Sequence, residues 1–286
     1  MVLYDADARA TGAVASTREH TSSSVWRSTN SMSHGSFKDY FSEDAADYAT
    51  FRPTYPAALF DFVAGLASRR TTVWDCATGN GQAALPLAAH FDRVIATDAS
   101  AEQIAHAMPH PRVSYGVGLA DASGLESGAV DLVTVAQALH WLPLERFFAE
   151  VRRVVAPDGI LAVWCYTRPL LGGELGNIVD RFYYDECGAY WPPERVLVDQ
   201  GYRTVDMPFD DVPAPPLSIE APLTLRAFGG YLRTWSAARK LAAALGRDPV
   251  RAVETELREG WGGEDARQLV RWPVHVRAGR VKRGRR

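Results

Sequence analysis

The sequence predicts an α/β fold, a mostly parallel sheet with helices on both faces and an added helical cap. Three observations carry this. Short apolar runs alternate with helix-like segments between about residues 71 and 164. The first run passes through Gly79-Asn80-Gly81 into an alanine-rich segment. Acidic residues, Asp75, Asp98 and Asp121, stand at or just past the ends of three successive runs.

The elements follow in order. "FKDYFSEDAADYATFRPTYPAALFDFVAGLA" reads as helical pieces broken at Pro53 and Pro56. "TTVWDCA" is a first strand, and a helix over Gly81 to His90 follows, with Pro86 poorly placed inside it. "RVIATD" is a second strand, a helix starts near Ala101, and "RVSYGVG" and "VDLVTVA" are the third and fourth strands. Leu144, Phe147, Phe148, Val151, Val154 and Val155 share one helical face, which "PDG" should end before a strand over Ile160 to Trp164. Beyond it, Leu175, Ile178, Val179, Phe182 and Tyr183 mark one amphipathic helix, and Leu225, Phe228, Leu232 and Trp235 another. "YRTVDMPF" reads as a strand, and Asp248-Pro249 as a helix start. "LVRWPVHVRAG" reads as a last strand, with Pro273 favouring an edge or an interruption.

The chain has 286 residues, 47% of them hydrophobic and 23% charged, which is enough for one large core with a cap. A net charge of −3 gives no global attraction to nucleic acid or anionic lipid. The basic run from Arg277 to Arg286 is expected to be a solvated tail. Cys76, Cys165 and Cys187 have no CxxC or metal-ligand spacing, so reduced thiols, a cytoplasmic location and no metal are expected. No run of about 18 apolar residues is present, and the N-terminus lacks a secretory pattern, so no membrane contact is expected. Residues 1–34, rich in Ser, Thr, Ala and Gly, are expected to form a flexible arm. Residues 35–286 form one domain in this reading, with cap helices over 35–68, a cofactor-binding core over 69–168, and cap insertions with the final strands over 169–286.

A strand feeding a helix through a glycine turn brings backbone close to a ligand at the carboxyl end of the sheet. Such turns are common, so neighbours must decide. Asp98 stands 19 residues after Gly79, where a carboxylate can accept from both ribose hydroxyls; capping the next helix is the plainer alternative. Asp121 stands where an adenine would lie, or closes a loop. Ala84 satisfies the last position of a dinucleotide fingerprint, so the glycines alone leave a dinucleotide open. Asp75 separates the two: a carboxylate would repel a pyrophosphate and welcome an ammonium. The pattern points to a nucleoside with a positively charged amino-acid tail.

"DCATGNGQAA", "ATDAS", "ADASGL", "VDLVTVAQALHWL" and "PDGILAVW" resemble the successive motifs of class I S-adenosylmethionine-dependent methyltransferases, over about Phe37 to Arg280. "FSEDAADYATFRPTYP", "YWPPERVLVDQGYRT" and "GYLRTWSA" resemble a small-molecule subgroup, methyltransferase type 11, that includes trans-aconitate methyltransferase-like proteins. The resemblance implies a Rossmann-like, seven-stranded, mostly parallel sheet and S-adenosyl-L-methionine as cofactor. It implies that Asp75, Ala77, Gly79 and Gly81 line the methionine moiety, that Asp98 with Ala99 holds the ribose, and that Ala120 and Asp121 lie along the adenine. Ala136 and Gln137 would close the sulfonium side, with Tyr48 and Arg52 covering the cofactor. Ala77 stands where the family often has glycine.

Methyl transfer from a sulfonium is an in-line displacement, so positioning dominates. A base is needed only for an acceptor that arrives protonated, and His140, after the fourth strand, is the candidate. Packing is the plainer role for His140. Trp141, Tyr190, Trp191, Tyr231 and Trp235, with Tyr184, would wall an apolar or planar acceptor, and Arg195 or Arg233 would meet an acid. The expected activity is methyl transfer to a small-molecule carboxylate, hydroxyl or ring nitrogen, in biosynthesis, by a monomer or homodimer with no nucleic-acid partner. A non-catalytic cofactor-binding module and an NAD-linked oxidoreductase are the alternatives.

Overall fold

A computed structural model describes residues 53–263 and 265–282. The expected arm over 1–34 and the first part of the cap, with Tyr48 and Arg52, lie outside the described residues. The strands are β1 (Thr72–Cys76), β2 (Arg93–Asp98), β3 (Val113–Val117), β4 (Val130–Ala136), β5 (Val155–Tyr166), β6 (Leu217–Thr224) and β7 (Arg267–Arg280). They form one sheet in the order β3-β2-β1-β4-β5-β7-β6. The first five pair in parallel, and β7 runs antiparallel between β5 and β6. The order reverses at β1, which has β2 on one side and β4 on the other. In open sheets that is where a crevice forms beyond the strand ends.

The helices are α1 (Ala57–Leu66), α2 (Ala84–Leu87), α3 (Ala101–Ala105), α4 (Leu144–Val154), α5 (Gly173–Arg181), α6 (Arg195–Asp199), α7 (Leu225–Arg233), α8 (Ser236–Leu245) and α9 (Val250–Trp261). Strands covered on both faces lose the alternation of a half-exposed strand. Accordingly, Val73 belongs to the core cluster that includes residues of α1 and α2, while the next residue, Trp74, packs with Phe147 of α4 on the other face. Trp164 and Cys165 divide in the same way.

Several expectations are corrected. The helix over Gly81 to His90 contracts to Ala84–Leu87, because Pro86 offers no N–H to the carbonyl a turn earlier. The "PDG" segment does not separate helix from strand. The helix stops at Val154, and β5 opens at Val155. Pairing then jumps from Val130 opposite Val155 to Leu132 opposite Ile160, so residues 156–159 loop out of the ladder with Asp158 at φ 66°.

"YRTVDMPF" is not a strand. Its alternation is real, since Val205, Met207 and Phe209 are buried. However, Gly201 and Tyr202 both take left-handed backbone (φ 59° and 58°), and the Arg277 guanidinium claims the Tyr202 and Val205 carbonyls. The edge strand is instead β6, which the sequence did not announce. Pro222 is tolerated there as on other edges. The last strand is interior. Pro273 sits where β7 hands over from β6 to β5: it stands opposite Ser218, and pairing with β5 begins at Val274 opposite Tyr166. The basic run is no simple tail either. Arg277 is mostly buried and bonded to Asp211, while Arg280 meets Asp158 and Lys282 meets Asp210.

All three cysteines are buried free thiols. Among the described residues no helix is long and apolar enough to cross a membrane, and no cluster of His, Cys, Asp or Glu is arranged to hold a metal.

Candidate functional site

The carboxyl ends of β1, β2 and β4 meet around the glycine turn. Asp75 pairs in register with Ala96 of β2 and Thr134 of β4. Its side chain is wholly buried and accepts hydrogen bonds from the Thr78 hydroxyl at 2.5 Å and the Thr134 hydroxyl at 2.7 Å. The structure thus places Asp75 beneath the turn, not on its surface. Burial raises its pKa to about 6, and the charge of Asp98 adds to the rise while the two hydroxyls oppose it. Among the described residues no Lys, Arg or His pairs with Asp75, so its charge acts on the crevice through the field.

The turn itself is left-handed at Ala77 (φ 54°), Gly79 (φ 57°) and Gly81 (φ 89°). Glycine takes that backbone freely, whereas Ala77 does so at about 1–2 kcal/mol. Asp98 fixes the turn to the next strand end. Its Oδ2 accepts the Gly79 N–H at 2.8 Å, and its Oδ1 accepts the Ser100 N–H at 2.9 Å. The helix cap is Ser100, whose hydroxyl accepts from Gln103, so capping is not the role of Asp98. Ala99, between them, is half-buried.

Sequence reasoning missed Tyr115. It stands on β3 opposite Ala96, with its hydroxyl over the glycine turn. A Cβ on Gly81 would overlap that oxygen. The oxygen is buried and has no hydrogen-bond partner among the described residues. Burial, and then the charge of Asp75, raise its pKa. Only the aromatic placed on a strand between two acidic strand ends hinted at it. Gly81→Ala is expected to destabilise the fold by about 1–3 kcal/mol, part of it backbone strain and part the clash. In a Tyr115→Ala background the cost should shrink by about 1 kcal/mol. Equal costs in both backgrounds, by urea melts, would show that Tyr115 does not crowd the turn.

Further along the crevice Ala120 packs against α4's layer, and the Asp121 carboxylate is 3.0 Å from Arg146 of α4. Asp121 is thus tied to a helix, with its side chain mostly covered. Ala136 ends β4 half-buried, and Gln137 follows with φ 54°. The Gln137 amide bonds both backbone groups of Tyr166, extending the β4–β5 ladder by one rung (2.7 and 3.2 Å).

Beyond Gln137 lies a small cleft, which Gln137 itself helps to line. Its walls include His140, Trp141, Trp191, Tyr231 and Trp235, together with Arg195. Tyr190 is not among them and packs on the core instead. Tyr184 is exposed outside, holding Arg168 through its hydroxyl at 3.1 Å. Arg233 is also absent: it clamps Glu254 through both terminal nitrogens and reaches Asp248, joining α7 to the start of α9. Arg168 and Tyr166 line the cleft without having been foreseen.

His140 sits on a 3-10 turn, Leu139–Trp141. Its Nδ1 is 2.9 Å from the Tyr202 hydroxyl, and burial, then the charge of Arg195, push its pKa down to about 3. It is therefore a neutral imidazole at physiological pH.

Residues 74–163 match a family described as Methyltransferase domain. A protein of Dictyostelium discoideum, named as a methyltransferase, is 30% identical over 247 residues, covering 84% of this chain and 94% of its own length. A Saccharomyces cerevisiae protein named as an S-adenosylmethionine-dependent methyltransferase is 29% identical over 135 residues, 44% of this chain and 46% of that one. A solved structure described as a type II methyltransferase from Anaeromyxobacter dehalogenans is 44% identical, with a TM-score of 0.77 over 80% of this chain and 98% of that chain.

Proposed function

This chain belongs to the class I S-adenosylmethionine-dependent methyltransferases, and on that premise we propose that it methylates a small molecule held in the aromatic cleft beyond β4. The observation that carries the proposal is the adjacency of two strand ends. The glycine turn and Asp98 follow β1 and β2, and β4, which pairs with β1, ends beside Gln137, which lines the cleft.

The residues present fit the cofactor. Asp98 offers a carboxylate at the end of β2, and the left-handed backbone at Gly79 and Gly81 turns the chain beside it. The buried Tyr115 hydroxyl has a hydrogen to donate and no partner among the described residues. Asp98 and Ala99 would hold the ribose, Ala77, Gly79 and Gly81 the amino-acid end, and Ala120 and Asp121 the adenine. Asp75 would favour the ammonium through its buried charge. Tyr48 and Arg52 keep their expected covering role as part of this proposal. When bound, S-adenosylmethionine supplies a methyl group already activated on a positively charged sulfur. The chain then has to align the acceptor and keep water out, and orientation of that kind is worth about 7–11 kcal/mol in favourable cases.

The cleft suits a planar acceptor. Trp141, Trp191, Tyr231 and Trp235 provide apolar walls that a sugar or a peptide would use poorly. A non-catalytic module would be favoured by a blocked acceptor site. Family membership displaces the oxidoreductase alternative.

Isothermal titration should detect S-adenosylhomocysteine binding to the full chain, with one site per chain. A screen of small acids, phenols and amines that follows homocysteine-containing product should then find turnover in at least one class. No binding at millimolar ligand would discard the site, and binding without turnover of any class would discard the small-molecule acceptor.

A further inference from the structure

We propose that the cleft takes its acceptor uncharged, as a phenol or a nitrogen heterocycle, because Asp180 and Asp199 cancel from behind the two positive charges in its wall. This rests on the reading of the cleft as the acceptor site. It makes two residues that do not line the cleft determinants of what enters it.

Among the described residues that line the cleft, His140, Arg168 and Arg195 are the ones able to carry a positive charge, and there is no Asp or Glu. Burial and the nearby Arg195 keep His140 a neutral ring. Arg195 pairs with Asp199, one turn further along α6. Its Nε donates to Asp199 Oδ1 at 3.2 Å and to the Tyr183 hydroxyl at 2.8 Å, and that hydroxyl donates to the same Asp199 oxygen at 2.7 Å. Arg168 repeats the arrangement. A terminal nitrogen pairs with Asp180 of α5 at 2.7 Å, and its Nε donates to the Tyr184 hydroxyl at 3.1 Å. Each cation thus has one carboxylate and one phenol. The acid that sequence reasoning placed opposite Arg195 is a residue of this chain.

The two phenols are neighbours. Tyr183 and Tyr184 lie in a π-helical turn, Phe182–Glu186, with their rings edge to face and 5.0 Å between centres. Turns of this kind are rare and frequent at functional sites. The rings also pin the cations. The Arg195 guanidinium lies 4.8 Å from the Trp191 ring centre and 5.5 Å from that of Tyr183, and the Arg168 guanidinium 5.5 Å from that of Tyr184. In both pairs the arginine is the better covered partner, at 17% exposure against 39% for Asp199 and 23% against 38% for Asp180. The arginines line the cleft, and the carboxylates meet them from the solvent side.

An acid entering this cleft gains little. Its carboxylate would leave water for two guanidiniums already matched, and the group as a whole would hold one negative charge in excess. Ser236, at the start of α8, lines the cleft, and a helix start favours an anion by about fivefold or less. An uncharged ring gives up no ionic hydration and stacks on Trp141, Trp191, Tyr231 and Trp235.

Calorimetry on the full chain with S-adenosylhomocysteine present tests this with matched probes, benzamide against benzoate and cinnamamide against cinnamate. The wild type should bind the amides at least about tenfold more tightly than the acids. Asp199→Asn keeps an oxygen for Arg195 and Tyr183 but removes the charge behind them. It should raise the affinity for benzoate and cinnamate by about tenfold and move the amides by less than about twofold. Asp180→Asn should act in the same way through Arg168, and it carries the test if Asp199→Asn fails to fold. A merely structural role for either aspartate would change acid and amide together. Acids bound as tightly as amides by the wild type, no binding of either at about 10 mM, or variants that gain nothing for the acids would each overturn the proposal. If S-adenosylhomocysteine itself fails to bind, it is the site reading that fails; if it binds and the amides have no advantage, only this inference does.

Discussion

Asp98→Ala should weaken S-adenosylhomocysteine binding by about 100-fold, the loss of two hydrogen bonds to a charged acceptor at about 1.5 kcal/mol each. The same change should destabilise the fold. In the wild type the carboxylate accepts the Gly79 and Ser100 N–H groups, so it ties the glycine turn to the start of α3. Leaving both donors without an acceptor costs about 1–3 kcal/mol for each that water does not reach. Asp98→Asn separates the two effects. It keeps one accepting oxygen for the turn but places an amide where a ribose hydroxyl would donate. Calorimetry should show its affinity nearer to that of Asp98→Ala, while its urea midpoint stays nearer to the wild type. Wild-type affinity in Asp98→Asn would mean that Asp98 serves the turn alone.

Asp75→Asn should move stability and binding in opposite directions. Burial raises the Asp75 pKa from 3.8 to about 6. The folded state therefore takes up a proton more readily than the unfolded chain between those two values. Below pH 3.8 both states are protonated and burial costs nothing extra. Above about pH 6 both are ionised, and the folded state carries the full cost, about 3 kcal/mol. Stability due to this group is thus lost as pH rises through that window. The substituted side chain has no charge to bury, and the Thr78 and Thr134 hydroxyls can still bond to its amide. The variant's melting temperature should exceed the wild type's above about pH 6, with the gap closing toward about pH 4. Cofactor affinity should fall by about 10- to 100-fold through loss of the charge that favours the ammonium. A variant that melts lower at about pH 7.5, or one that binds with wild-type affinity, would show that the buried charge is not kept for the ligand. The large stability cost is the reason to expect a use for it, since proteins seldom bury an unpaired charge without one.

The motifs that sequence reasoning used are those in which backbone and ligand chemistry are local. Gly79, Gly81 and Asp98 stand within one strand–turn–helix unit and the next strand end, so spacing along the chain places them together. Local patterns misled where the deciding partner was distant. The alternation over 202–209 is buried as a strand's would be, yet Arg277, more than 70 residues on, holds two of its carbonyls out of any ladder. Arg195 and Arg233 look equivalent in sequence. One lines the cleft while paired with Asp199, and the other is spent on Glu254 and Asp248. Tyr190 and Trp191 are neighbours, yet only Trp191 reaches the cleft.

By itself the sequence determined the α/β architecture, the parallel strands and the glycine turn after β1, because apolar periodicity and glycine backbone freedom act over a few residues. Only the tertiary structure decided that Asp75 is sealed under that turn, that Tyr115 lies over it, and that Tyr202 stands behind His140. Burial depends on groups that chain folding brings together from far apart, as with Tyr202, 62 residues from His140. No pattern within one segment encodes which of them will meet.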